Sequence, residues 1–162
     1  MKKLRLFLLA GAALLLATCQ PKTDIEKEKE AIIQAFEQEK AAYFNQDFAA
    51  LIVNWVQEPS SFKCFMGADG EIRYEGWQSI EQSIKSEIED TTWDRKLVKA
   101  TFSDYRINIM DNSAWVTCHT HWDGIFRGDT ISLDQSRINV LKKVDETWKF
   151  ALMAIYNIPV KE

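Results

Sequence analysis

Hydrophobic positions recur along this chain in three different rhythms. Between Leu6 and Leu16 they run together, broken only by small residues. From Ile25 onward they return at helical spacing, as Ile25, Ile32, Phe36 and Tyr43, with Ile33 and Phe44 widening the stripe. Glu, Lys and Gln fill most positions between, so the spacing predicts one long amphipathic helix from about Asp24 to Asn45. Thr23-Asp24-Ile25-Glu26 reads as its capping box, with Thr23 as the cap and Glu26 reaching back. A second short helix, Phe48 to about Trp55, ends before the breaker Gln57-Glu58-Pro59-Ser60-Ser61. A third, marked by Trp77, Ile80, Ile84 and Ile88, follows Gly76.

Elsewhere the rhythm is that of strands. Phe62–Met66 reads as a strand, Gly67-Ala68-Asp69-Gly70 as a turn and Glu71–Tyr74 as the returning arm of a hairpin. From Leu97 the period becomes two over Leu97–Met110, Ser113–Trp122, Ile131–Lys143 and Trp148–Asn157. Asp111-Asn112 and Asp145-Glu146 make tight turns, which predicts four antiparallel strands in a meander. No repeat, low-complexity tract or second domain stands out. Helices followed by a long twisted sheet give an α+β layout, with the sheet curled around the first helix to bury its stripe.

The unbroken apolar run has a different meaning. Lys2, Lys3 and Arg5 precede it and Leu16-Ala17-Thr18-Cys19 closes it, which is the layout of a secretory signal. It resembles a bacterial lipoprotein signal, in which residues 1–18 are removed and Cys19 is lipidated. The alternative is an ordinary signal or short anchor with an incidental cysteine; Thr18 is a less usual residue before a lipidated one. A membrane span needs ~20 apolar residues, and this run is shorter. The expected organisation is a signal at 1–18, a lipidated cysteine and short linker at 19–23, and one domain over 24–159. Gln20 is not the aspartate that retains enteric lipoproteins at the inner membrane. The expected address is therefore the cell envelope, lipid-anchored, with the outer membrane favoured.

Charge narrows the partners. Cleavage before Cys19 leaves 144 residues with 17 basic and 24 acidic side chains, a net charge near −7. Nucleic acid and electrostatic adhesion to anionic lipid both need a basic surface, so neither is expected. Membrane attachment would rest on acyl chains alone. Cys64 and Cys118 sit in apolar, strand-like segments and read as buried thiols rather than as a disulfide framework.

Several short stretches carry a family resemblance. They are Tyr43-Phe44-Asn45-Gln46-Asp47-Phe48, Tyr74-Glu75-Gly76-Trp77 with Ile80, Asn112-Ser113-Ala114-Trp115-Val116-Thr117, and Arg137-Ile138-Asn139-Val140-Leu141 running on to Asp145-Glu146-Thr147-Trp148-Lys149. In order and spacing, over about Glu26 to Ile158, the chain resembles the nuclear transport factor 2-like superfamily. That cone-shaped fold is shared with ketosteroid isomerases and SnoaL-like polyketide cyclases. The resemblance implies a curved sheet of four long strands plus a short hairpin, wrapped around one long helix and two shorter ones. It implies a fold and not an activity, because the superfamily holds enzymes, binders and dimerisation modules.

Strand faces then decide what lines the cone. Ala114, Val116, Cys118, Thr120 and Trp122 form the small, apolar face and turn inward. Trp115, Thr117, His119, His121 and Asp123 form the other, convex face. The resemblance turns Arg137, Asn139 and Leu141 inward too. An arginine inside a cone needs a partner, so Arg137 is the leading pocket residue. It either reads an anionic ligand group with its guanidinium fork or makes a structural salt bridge to Asp104, Asp134 or a helix acid. Asn139, Thr120, Trp122 and Cys118 extend that surface, and Tyr43 and Trp55 close its wall or serve as core aromatics.

His119, His121 and Asp123 project from one face at ~6.6 Å intervals, a start on a zinc site. That face is convex and the chain holds no third histidine, so no metal or other cofactor is expected. Acid–base chemistry inside the cone needs an inward carboxylate or histidine. The weak candidates are Asp47, which also suits a helix cap, and Asp104 with Tyr105, whose facing depends on register. No nucleophile elbow, phosphate loop or dinucleotide fingerprint is present. Two functions stay open. One is a membrane-tethered, non-catalytic module that binds a small organic, in one reading anionic, ligand around Arg137 or serves dimerisation. The other is a cofactor-free isomerase, dehydratase or hydrolase. A homodimer through the convex face of the sheet suits both.

Overall fold

The computed structural model describes residues 24–67, 70–89, 95–126 and 128–158; the signal segment, Thr23 and Cys19 lie outside them. Among the described residues the chain forms helices α1 (Ile25–Phe44), α2 (Phe48–Val53) and α3 (Trp77–Glu89). The strands are β1 (Phe62–Gly67), β2 (Gly70–Glu75), β3 (Arg95–Met110), β4 (Ser113–Phe126), β5 (Asp129–Val144) and β6 (Thr147–Asn157). All six strands belong to one sheet in the order β2-β1-β6-β5-β4-β3. β3 to β6 form the expected antiparallel meander. The sequence left the β1–β2 hairpin unattached; β1 in fact runs parallel to β6, with Lys63 opposite Met153 and Phe65 opposite Ile155.

Boundaries moved where side chains compete for the backbone. The cap of α1 is Asp24, which accepts from the Lys27 amide at 3.3 Å, not Thr23 with Glu26. An aspartate one residue closer to the helix offers the same acceptor and a full negative charge to the first turn. The α2 helix stops at Val53 rather than Trp55, and Trp55 instead bridges to Phe150 of β6. The Asp111 and Asp145-Glu146 turns adopt positive φ, as tight hairpins with the right-handed strand twist require.

α1 lies across the concave face of the sheet. Ile32 and Phe36 are fully buried there, with Phe150, Leu141 and Val116 beneath them. Phe36 sits edge-on to Phe150 at 5.0 Å and to Tyr105 at 5.4 Å. At the start of the helix, Glu28 accepts from Trp148 Nε1 at 2.7 Å and from Lys143 Nζ at 2.8 Å. The Lys143 hydrogen bond holds the Glu28 carboxyl below its ordinary pKa. This tie fixes the rotation of α1. Eleven residues on, about three turns, the same helix face carries Glu39.

Candidate functional site

The concave face reads as a ladder of cross-strand rows. Ala114 pairs with Leu141; Val116 with Asn139 and Met153; Cys118 with Arg137 and Ile155; Thr120 with Gln135 and Asn157; Trp122 with Leu133. The polar side chains, Asn139, Arg137, Thr120 and Gln135, fall in the middle rows, and the ladder ends on the apolar Trp122–Leu133 row. A pocket of about 150 Å³ lies over the Arg137 row, lined by Glu39, Tyr43, Lys63, Trp122, Arg137 and Met153 among others. A wider vestibule of about 690 Å³ adjoins it and shares Tyr43, Phe65, Glu87, Leu133 and Gln135 with it.

Arg137 is 4 % exposed, and its partner is a helix acid. Glu39, 7 % exposed, places Oε2 3.5 Å from Arg137 Nη1. The guanidinium lies 5.0 Å from the Phe102 ring centre and 5.6 Å from that of Trp122, a cation between two π faces. Asp134 goes to the other face of the sheet. The Arg137–Glu39 contact is an ion pair without a hydrogen bond: Glu39 Oε2 and Arg137 Nε are both buried with no hydrogen-bonding partner. The same holds for Asn139 Nδ2 and Oδ1, Trp122 Nε1 and the Tyr105 hydroxyl. Buried polar atoms are nearly always paired, so this concentration of unused donors and acceptors in one region is the distinctive feature of the site.

Nearer the mouth stands a better-satisfied cluster. Lys63 Nζ donates to Glu87 Oε1 at 2.9 Å, and Tyr43 donates to Glu87 Oε2 at 3.0 Å. Two cations and two carboxylates line the pocket, so its charges cancel.

Residues 32–155 match the profile of the SnoaL-like domain. The chain belongs to the SnoaL-like domain family. The solved structures agree on the cone fold. A nuclear transport factor 2-like superfamily protein from Salmonella enterica serovar Typhimurium superposes with a TM-score of 0.66 at 17 % identity, over 85 % of this chain and 94 % of that one. A ketosteroid isomerase-like protein from Erwinia carotovora atroseptica gives 0.62 at 16 % identity, over 81 % and 96 %. No functionally curated protein matches the chain.

Within this SnoaL-like domain the residues singled out in the sequence separate into groups. Arg137, Trp122 and Tyr43 line the pocket. Cys118, Thr120 and Asn139 face the same way, almost fully buried in the ladder. Thr120 donates to Gln135 Oε1 at 3.3 Å, and burial pushes the Cys118 thiol up to about 11. Trp55 follows the second of its two readings, as a core aromatic: it packs 5.9 Å from Phe150 and does not line the pocket. Cys64 and Cys118 are both buried free thiols. Two strands separate theirs, about 14 Å at ordinary strand spacing, too far for a bond.

The weak catalytic candidates disperse. Asp47 caps α2, accepting from the Ala50 amide at 2.9 Å. A bulge between Ser103 and Arg106 leaves Asp104 exposed at positive φ and turns Tyr105 inward, where burial raises its phenol pKa. His121 lies on the convex face between Asp134, at 2.7 Å, and Asp123, at 3.1 Å. Among the described residues no cluster of three or more His, Cys, Asp or Glu could hold a metal.

Glu39, Lys63 and Glu87 join the site without having been among the residues expected there. The signal was there. Ile32, Phe36 and Tyr43 leave one gap in the buried stripe, and Glu39 fills it. A carboxylate at a stripe position is a buried charge, and buried charges need partners. Lys63 likewise interrupts the inward positions of an apolar strand.

Proposed function

We propose that this domain binds a small organic molecule in the cone, with a polar group of the ligand seated at Arg137 and Glu39. One observation carries the reading: at the Arg137–Glu39 ion pair the pocket is lined by buried donors and acceptors without partners, Glu39 Oε2, Arg137 Nε and Trp122 Nε1. A ligand carbonyl or hydroxyl there would supply the missing partners. The lipoprotein signal reading supports a tether to the bacterial cell envelope through Cys19. An anchor just before α1 would put the mouth at the far end of a 20-residue helix, about 30 Å from the lipid, facing the aqueous phase. The convex face exposes Trp115 and Ile138, which supports a homodimer through that face.

Native mass spectrometry of the chain from Gln20, exported to a periplasm and purified gently, tests this. A dimer carrying a few-hundred-dalton adduct, released on denaturation and absent from Arg137→Met, is the expected result. A bare monomer, with no adduct after incubation with cell-envelope extract, would sink both the pocket and the dimer.

A second reading rests on Glu39. An inward carboxylate was the missing requirement for acid–base catalysis, and α1 supplies one whose Oε2 accepts no hydrogen bond. Likeness to a ketosteroid isomerase-like protein lends this reading support by analogy. In deuterated water, a general base at Glu39 would exchange an acidic C–H of the bound molecule. Glu39→Gln would bind without exchange; exchange that survives the substitution removes Glu39 from the chemistry.

A further inference from the structure

Lys63 is unusual in its surroundings. It is 5 % exposed, on a strand whose other residues are all apolar. Its ammonium lies 5.0 Å from the Phe65 ring centre and 5.8 Å from that of Tyr74. It donates to Ser83 Oγ at 3.3 Å as well as to Glu87, and Ser83 donates to Glu87 Oε1 at 3.1 Å. These groups come from β1 and α3, and Tyr43 brings in α1. They stand where the inner pocket meets the vestibule: Lys63 lines the first, Ser83 the second, and Glu87 both.

The pocket therefore has two polar stations, on β5 and β1, with the apolar Met153 and Ile155 of β6 between the strands that carry them. Each station pairs one cation with one carboxylate. A ligand bearing a net charge would have to compete with Glu39 for Arg137, or with Glu87 for Lys63, and would leave a buried charge unpaired. An uncharged ligand disturbs neither pair and can exchange hydrogen bonds with both.

We propose that the pocket takes an uncharged, elongated molecule, apolar in its middle, with one hydrogen-bonding group at Arg137–Glu39 and a second at Lys63–Ser83–Glu87. This rests on the reading of the cone as a ligand pocket and adds its charge class and its second station.

Two dyes with one aromatic frame test it. N-phenyl-1-naphthylamine is neutral, and 8-anilino-1-naphthalenesulfonate adds a sulfonate. Both are titrated by fluorescence into the chain from Gln20, which contains every described helix, strand and core residue; a cooperative thermal melt checks each variant. The neutral dye should bind at least about tenfold more tightly than the sulfonate. Glu87→Gln leaves the Lys63 charge uncompensated and should tighten the sulfonate about tenfold, while the neutral dye moves less than about threefold. If Glu87→Gln fails to fold, Lys63→Gln carries the test in the opposite sense and weakens the sulfonate further. Leu133→Trp, on the wall that the pocket and the vestibule share, should abolish both dyes. Sulfonate binding that equals the neutral dye, or ignores the Lys63–Glu87 charges, while Leu133→Trp still blocks, overturns the charge class and second station and leaves the pocket standing. Failure of either dye to bind, or indifference of both to Leu133→Trp, overturns the pocket reading as well.

Discussion

Arg137 and Asp134 stand three residues apart on β5 and each pairs with an opposite charge, yet the two pairs are of different kinds. Arg137 turns to the concave face and meets Glu39, with side chains 4 % and 10 % exposed. Asp134 turns to the convex face and meets His121, 65 % and 41 % exposed. The inner pair sits at 3.5 Å with unused polar atoms around it; the outer is a tight 2.7 Å contact with water on every open side. Distance alone would rank the outer pair stronger. Burial reverses that order, because water screens an exposed pair to little net value while a buried charge cannot be left alone.

The largest expected effect comes from splitting the inner pair. Arg137→Met strands the Glu39 carboxylate and should destabilise the unliganded protein by about 3–5 kcal/mol, read by chemical denaturation. Glu39→Leu should cost a similar amount by stranding the guanidinium. The double variant removes both charges and should return to within about 1 kcal/mol of the parent, since replacing a whole buried pair by apolar groups is often neutral. It should still lose ligand. A double variant as unstable as either single would mean that the two residues are not coupled, and the contrast between the faces would collapse.

How far the sequence revealed these two faces follows from what fixes them. The period of two along β4 placed Ala114, Val116, Cys118, Thr120 and Trp122 inward, and all are buried. A strand's facing needs only its own alternation, so it is legible. The β5 facing of Arg137 followed from the family resemblance and held. What was not legible needed a second element. Glu39 meets Arg137 only because the Glu28 tie to Trp148 and Lys143 sets the rotation of α1, a contact across about 120 positions. The bulge that exposes Asp104 is a local register slip no alternation reveals. The parallel β1–β6 pairing, which brings Lys63 into the cone, has no local signal either.

Asn139 sharpens the comparison from the uncharged side. It is fully buried, and neither its amide nitrogen nor its oxygen has a hydrogen-bonding partner. Its desolvation is paid with no bond in return, so Asn139→Leu should raise the stability of the unliganded protein by about 1–2 kcal/mol, measured as a higher Tm. Ligand affinity should change in the same variant if Asn139 helps receive the polar group. A clear loss of stability instead would show that the amide is satisfied in solution, by a water buried beside it.

The smallest effect is the one most easily tuned by solvent. The hydrogen bond to Asp134 raises the His121 pKa above its ordinary value; desolvation opposes it, and the hydrogen bond to Asp123 adds a smaller lift. A group whose pKa is higher folded than unfolded stabilises the fold while it is charged in both states. The His121 contribution is therefore fully present below about pH 6.5, its unfolded value, and fades as pH climbs through the raised folded value. An NMR titration of the imidazole should give a midpoint above 6.5 that falls toward it in Asp134→Asn. His121→Gln should flatten the pH dependence of stability over the same window, and salt should shrink the difference. A His121 midpoint at or below 6.5 would mean the convex cluster does not hold a proton as its geometry implies. The face matters for one more reason. If two copies meet through Trp115 and Ile138, the same titration should appear in the dimer's dissociation. The concave pair, with side chains 4 % and 10 % exposed, should give no counterpart when salt is varied.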